Sequence, residues 1–207
     1  MSVAIKTPPK LTTAPVELPP WLLYRFTVKQ YRHMNEIGIL TENDRVELLE
    51  GWITTKMPRT PPHDAGISLV QAELTPRIPA EWILRIQSAI NTSDSEPEPD
   101  VAVVRGPARR YAKAHPKPRD IGLLVEAAES TLLNDRNFKG RIYARARIPV
   151  YWILNLVENK VEVYTQPKSG RSPVYQQRRD YGIDEVVPLV IEDQEIARIP
   201  VRDLLPF

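Results

Sequence analysis

The sequence predicts a mixed α/β fold of the α+β kind, with a central β-sheet of mixed strand direction and helices packed against it. Three observations carry that expectation. Strand-like apolar runs follow one another at 82–88 (WILRIQS), 100–104 (DVAVV) and 122–128 (GLLVEAA). The third is almost continuously apolar, as expected of a central strand covered on both faces. Segments of helical periodicity stand before and after these runs, and more strand-like segments close the chain.

The elements follow in order. Residues 1–24 are rich in Pro and Thr without periodicity and read as an extended arm. The remainder, 25–207, reads as one domain. Thr27 with Gln30 three residues on is a capping-box pattern, which predicts a helix from Val28 to about Ile39. RVELLEG and WITTKM, joined at Glu50-Gly51, predict a hairpin. Ile67, Val70, Leu74 and Ile78 recur at helical spacing, so a second helix is expected from Asp64 to Ile78. After the three strands, Asp135 can cap a helix to about Arg147, with Phe138, Ile142, Tyr143 and Ala146 as its apolar stripe and Pro149 as its stop. VYWILNL and KVEVYTQ then form a strand pair about Glu158-Asn159. A β-rich tail (PVYQQ, VVPLVI) ends in the short apolar segment IPVRDLLPF.

Composition narrows the chemistry. A chain of 207 residues, 42% apolar and 26% charged, is long enough to bury a core. It contains no apolar run of membrane-spanning length, and its first residues lack the apolar centre of a secretory signal. No membrane partner is expected, and the cytoplasm is the expected compartment. Cysteine is absent, which excludes disulfides, thiolate metal sites and cysteine nucleophiles. There is no Gly-rich phosphate loop and no HExxH, and His33, His63 and His115 are too scattered for a metal triad by spacing.

The net charge of +2 says little, but its distribution says more. Residues 105–119 hold Arg105, Arg109, Arg110, Lys113, Lys117 and Arg119 with no acid before Asp120. Residues 136–147 add Arg136, Lys139, Arg141, Arg145 and Arg147. Acidic groups lie beside these stretches, at Asp94, Glu96, Glu98 and Asp100 and again at Glu126 and Glu129. Carboxylates ringed by base suit a metal site that accepts phosphates; a solvated mixed-charge surface is the other reading.

Individual residues sharpen the choice. Asp100 opens the strand DVAVV, as a turn aspartate or as a ligand at the mouth of a strand. Glu126 interrupts LLVEAA, where an unpartnered carboxylate is costly, so a metal ion or a lysine must meet it. Glu47, alternating with apolar neighbours, faces either solvent or the same site. Lys139 sits at the edge of its helix's apolar stripe, as a snorkelling surface lysine or as an ammonium beside the carboxylates. There it would orient or help deprotonate water and neutralise charge on a phosphate. His63 opens a helix after two prolines, and Gln87 ends a strand; each has a solvent or strand-end alternative. Two or three carboxylates with a lysine suit Mg²⁺ or Mn²⁺ better than Zn²⁺.

SEPEPDVAVV, HPKPRDIGLLVEAAEST and NDRNFKGRIYARARIPVYWILNL, with VELLEGWI, MPRTPPHDAG and IQSAI upstream, resemble the Uma family of restriction endonucleases, part of the PD-(D/E)XK nuclease superfamily. The resemblance covers about residues 25–165. It implies a restriction-endonuclease-like sheet with the site at one end. Asp100 matches the family's motif aspartate and Glu126 its motif glutamate. The superfamily's usual lysine position is Ala128 here, and Lys139 matches the place to which that lysine has migrated. Glu47 matches an upstream acid, and Gln87 and His63 match recurring positions. Asn155 stands where many members end the next strand with aspartate.

The implied function is Mg²⁺- or Mn²⁺-dependent hydrolysis of DNA by activated water. Asp100, Glu126, Glu47 and the Ala127 carbonyl are the expected ligands, and Lys139 orients the nucleophile. Arg136, Arg105, Arg109, Arg110, Lys113 and Lys117 would hold phosphates, and a homodimer would pair two sites for double-strand cutting. Two other readings stand beside it. One is a silent nucleic-acid-binding module on the same fold, and the other is an interaction protein working through its Pro-rich arm.

Overall fold

Thr27 starts the first helix as its spacing to Gln30 predicts. Its hydroxyl accepts the Gln30 N–H at 3.2 Å, and the Gln30 side-chain oxygen Oε1 accepts the Thr27 N–H at 2.9 Å, closing a capping box. The structure, a computed structural model, describes residues 23–41 and 43–207. The proposed arm therefore lies outside the described residues except for Leu23 and Tyr24. Helix α1 (Val28–Glu36) ends earlier than Ile39. Gly38 turns left-handed at φ 76°, and the Ile39 N–H reaches back to the Met34 carbonyl at 2.8 Å. Only glycine adopts that φ without strain, so the helix stops there. Thr27→Ala removes one half of the box and is expected to cost about 1 kcal/mol; urea unfolding of the pair of proteins measures it.

The hairpin forms as expected from β1 (Val46–Leu49) and β2 (Trp52–Thr55). Glu50 and Gly51 both take positive φ, 50° and 81°, which matches the strand twist. A Cβ on Gly51 would stand 2.8 Å from the Arg25 Cβ, so glycine is needed for close approach as well. Helix α2 spans Pro61–Leu74 with Thr60 as its cap, three residues ahead of the expected start. Pro61 and Pro62 occupy the first helical positions, where no intrahelical donor is required. Ile78 lies beyond the helix but still packs on the core.

Six strands make the main sheet, in the order β3 (Trp82–Ile86), β4 (Val101–Arg105), β5 (Ile121–Ala128), β6 (Val150–Asn155), β7 (Lys160–Lys168) and β8 (Val174–Gly182). Only β5 and β6 run parallel; the other neighbours are antiparallel, so the sheet is mixed. All eight residues of β5 are buried. Its odd-numbered residues Leu123, Val125 and Ala127 face one cluster with α2, and its even-numbered Leu124 and Ala128 face the other. The parallel β5–β6 pair requires a crossover, and the helical segment between them supplies it.

That segment differs from the expected single α-helix capped by Asp135. It comprises α3 (Leu132–Asn134), a π-helical turn (Asp135–Lys139) and α4 (Gly140–Arg145). Asp135 is a buried residue inside it, not a cap. At the C-terminus β9 (Val186–Ile191) and β10 (Gln194–Pro200) form a separate hairpin, of which the sequence suggested only the first strand. The closing apolar segment turns through Val201–Asp203 and buries Val201, Leu204 and Leu205 in the α2-side core. Among the described residues no helix is long and apolar enough to cross a membrane.

Candidate active site

One end of the sheet carries an acidic cleft. Glu126 stands near the C-terminal end of β5 on the face covered by α4, and Asp100 immediately precedes β4. The pairing of Val101 with Val125 brings these two strand ends together. Glu47 comes from β1, and the hairpin is tied down from behind. Glu50 receives Arg141 at 3.1 Å and Arg145 at 2.7 Å, and Arg145 also donates to Asp94 at 2.9 Å. Asp135 and Lys139 come from the π turn. A π turn inserts one extra residue and rotates the helix beyond it, a feature frequent at functional sites. Here both of its buried polar residues line the cleft.

Lys139 is the centre of the cluster. Its Nζ donates to Glu126 Oε1 at 2.9 Å and lies 3.9 Å from Glu47 Oε1 and 3.9 Å from Asp135 Oδ1. The Tyr143 hydroxyl donates to the same Glu126 oxygen at 2.6 Å. Asp100 is held from three sides. Its Oδ2 accepts the Ala127 N–H at 2.9 Å and lies 3.2 Å from His63 Nε2, and its Oδ1 is 3.4 Å from the Gln87 amide nitrogen. Glu47 Oε2 accepts the Glu98 N–H at 3.0 Å. All five members, Glu47, Asp100, Glu126, Asp135 and Lys139, are between 2 and 9% exposed, so their charges cannot be left to solvent.

Proton affinities follow from this crowding. Burial pushes Glu126 well above the ordinary carboxylate range, and the Lys139 ammonium only partly opposes it. Burial also raises Asp135 against the same ammonium. For Lys139 burial favours the neutral amine, but Glu126, Glu47, Asp135 and Asp100 outweigh it and hold the ammonium well above its usual value. Burial raises Asp100 too, yet the His63 hydrogen bond and charge, Lys139 and the Ala127 N–H bring it below the ordinary range. The hydrogen bond to Asp100 lifts His63 against the effect of burial.

Four buried carboxyl groups thus face one ammonium and one imidazole. The excess negative charge calls for protons or a cation to balance it. The donors are hard oxygens of the kind Mg²⁺ and Mn²⁺ take, and the donor set fits such an ion. Among the described residues no three acidic or imidazole groups converge into a preformed metal cage; the Lys139 ammonium stands among them.

Asp100, Glu126, Glu47, Lys139, Gln87, His63 and Ala127 therefore line one cleft. The basic residues named from sequence do not join them. Arg105 ends β4 opposite Trp82, about 17 Å from the Asp100 end at ~3.3 Å per residue, and pairs with Glu192. Arg110 pairs with Asp120 at 2.8 Å. Arg109, Lys113 and Lys117 belong to the connection between β4 and β5 and do not line the cleft. Arg136 turns away to Glu162 and Glu158. Proximity in sequence to the acids had suggested otherwise; the strand carries the chain to the far end of the sheet first. Asp135 is the site residue that sequence reading placed elsewhere. Its only signal was a position four residues before Lys139, which a helix cap satisfies equally well.

A family model described as "Uma2: Putative restriction endonuclease" matches residues 28–197. Among solved structures the chain is similar to "a putative nuclease belonging to DUF820" from Anabaena variabilis, at 17% sequence identity. The TM-score is 0.59, covering 82% of this chain and 94% of that one, a likeness of fold. No curated protein matches the chain.

Proposed function

The chain belongs to the Uma2 family and has a restriction-endonuclease-like fold, and from that premise we propose that it is a metal-dependent endonuclease hydrolysing phosphodiester bonds in DNA. The observation that carries the proposal is the meeting of Lys139 with Glu126 at 2.9 Å among the buried acids Asp100, Glu47 and Asp135. Asp100, Glu126 and Glu47, with the Ala127 carbonyl, would hold a Mg²⁺ or Mn²⁺ ion. When bound, that ion polarises a phosphoryl oxygen and makes water more acidic.

The chain's own residues do the positioning. Lys139 keeps its proton at neutral pH, so it acts as a donor rather than a base. It orients the attacking water and offsets charge building on the phosphate as the bond to the leaving oxygen breaks. His63 and the Ala127 N–H fix the Asp100 carboxylate, and Tyr143 fixes that of Glu126. Both carboxylates are thereby held in one orientation before a ligand arrives.

Asp100→Asn keeps the shape of the side chain while removing its charge. It is expected to weaken Mn²⁺ binding, measured by titration calorimetry, by about tenfold or more, and to lower cleavage of plasmid DNA in Mg²⁺. Cleavage by the parent chain that persists in excess EDTA would sink the metal-dependent reading. Salt-sensitive DNA binding indifferent to Mg²⁺ and to Asp100→Asn, without cleavage, would favour a binding module instead.

A further inference from the structure

The ion proposed above takes Asp100, Glu126 and Glu47 and leaves one buried carboxyl group of the cleft, Asp135, without a task. A carboxyl group only 2% exposed is costly to bury, so its place calls for a partner. Its charged partner is Lys139, four residues on. The two stand at opposite ends of the π turn, which the Gly140 N–H closes onto the Asp135 carbonyl. A turn with that wider closure sets positions four apart nearly one above the other, so both side chains enter the cleft from one short segment. Asp135 is also pinned in place. Its carbonyl accepts the Tyr151 hydroxyl at 3.2 Å, its N–H donates to the Thr131 carbonyl at 2.9 Å, and the Thr131 side chain bonds to its carboxyl group.

Binding of a cation changes the surroundings of Lys139. Its ammonium has several protons to donate. It meets Glu126 Oε1 at 2.9 Å and stands 3.9 Å from both Glu47 Oε1 and Asp135 Oδ1. A divalent ion held by Glu126 and Glu47 repels the ammonium from both. Lys139 is itself only 9% exposed, so water does not take their place. Asp100 is already engaged by the Ala127 N–H and His63, and it faces the ion too. Of the buried carboxylates, Asp135 remains to receive the ammonium. A shift of about 1 Å closes the gap to hydrogen-bond distance.

Resting on the nuclease reading above, we infer that Asp135 is a positioning residue, which receives the Lys139 ammonium when Glu126 turns to the metal and holds it beside the reacting water and phosphate. Asp135 touches neither the ion nor the substrate; it acts through Lys139. Because the π turn carries both groups, the lysine changes partners by a rotation of its own side chain.

A double-mutant cycle with Lys139→Met tests this, read by Mn²⁺ calorimetry and by cleavage of duplex DNA in Mg²⁺. Asp135→Asn keeps the shape of the side chain and an oxygen for Thr131, so the melting temperature should stay near that of the parent. It should weaken Mn²⁺ binding about tenfold and lower kcat about tenfold, with KM for DNA unchanged. In the Lys139→Met background the same substitution should change Mn²⁺ affinity by less than about twofold, because the group that Asp135 serves is gone. In crystals of the parent chain loaded with Mn²⁺, Lys139 Nζ should lie within hydrogen-bond distance of the Asp135 carboxylate. An Asp135→Asn variant equal to the parent, or an equal loss of Mn²⁺ affinity in both backgrounds, overturns the inference and leaves the nuclease reading intact. So does a loaded crystal with Asp135 on the ion or with Lys139 apart from Asp135, and this result decides the matter if Asp135→Asn does not fold. A parent chain that neither binds Mn²⁺ nor cleaves DNA overturns the nuclease reading, and this inference with it.

Discussion

Lys139→Met lowers DNA cleavage by about 10²- to 10³-fold, the usual effect of removing one transition-state donor, while Mn²⁺ still binds. Methionine fills nearly the same space, so the π turn and the packing around Tyr143 are preserved. The ammonium 2.9 Å from Glu126 disappears. Without it, only the Tyr143 hydrogen bond to Glu126 and the Thr131 hydrogen bond to Asp135 still oppose the effect of burial, and both acids take up protons more readily. Binding of Mn²⁺ then releases more protons than in the parent chain, which calorimetry in buffers of different ionisation enthalpy reads directly. A loss of cleavage through collapse of the fold is distinguished by the melting temperature, and Lys139→Arg tests whether charge without the original reach is enough. Cleavage by Lys139→Met equal to that of the parent removes the lysine from the mechanism.

Arg136→Leu destabilises the fold by about 3 kcal/mol at neutral pH, the lower end of the cost of breaking a buried ion pair. Glu162 on β7 is fully buried and is met by Arg136 on the π turn, by Asn155 Nδ2 at 2.7 Å, by the Tyr164 hydroxyl at 2.7 Å and by Arg178 at 3.2 Å. Removal of Arg136 leaves the other three, which is why the lower end applies. Burial alone would raise Glu162, but these partners bring it below the ordinary carboxylate value. A depressed carboxylate stabilises the fold above its unfolded pKa and loses that contribution as pH falls through its folded pKa. The gap between parent and variant in urea unfolding is therefore widest at neutral pH and narrows below about pH 4. A variant as stable as the parent at pH 7 would leave Arg136 free for the phosphate-holding role expected of it from sequence.

The same network explains Asn155. Its amide donates to Glu162 and to Glu158, and its carbonyl accepts the N–H groups of Val157 and Glu158 at the β6–β7 turn. An ionised aspartate could accept from the turn but could not donate to a buried glutamate. The residue that departs from the family pattern thus fits its own neighbours.

Much of the fold and site was legible in the residues. Buried strands announce themselves by apolar runs, and the first helix by a capping box, because both signals are local. Glu126 was legible for a related reason, since a carboxylate in an apolar strand must have a partner. Asp135 was not, because capping and burial begin from the same local pattern and only tertiary packing separates them. The π turn was invisible as well; one extra residue leaves the apolar stripe of Ile142 and Tyr143 intact. Strand β10 was missed because QEIARIP is half polar and pairs only with β9. The basic connection after β4 does not line the cleft, because the strand carries the chain away from Asp100 before Arg105 is reached.

Exchange of protons for a divalent cation at the floor of the cleft is the centre of the proposed mechanism. Crystals of the parent chain soaked in Mn²⁺ test it most directly through anomalous scattering. The expected result is a peak between the carboxylates of Asp100 and Glu126, with Lys139 displaced from Glu126, and no such peak in Asp100→Asn. An empty floor in the soaked parent crystal, with Lys139 still bonded to Glu126, would contradict it.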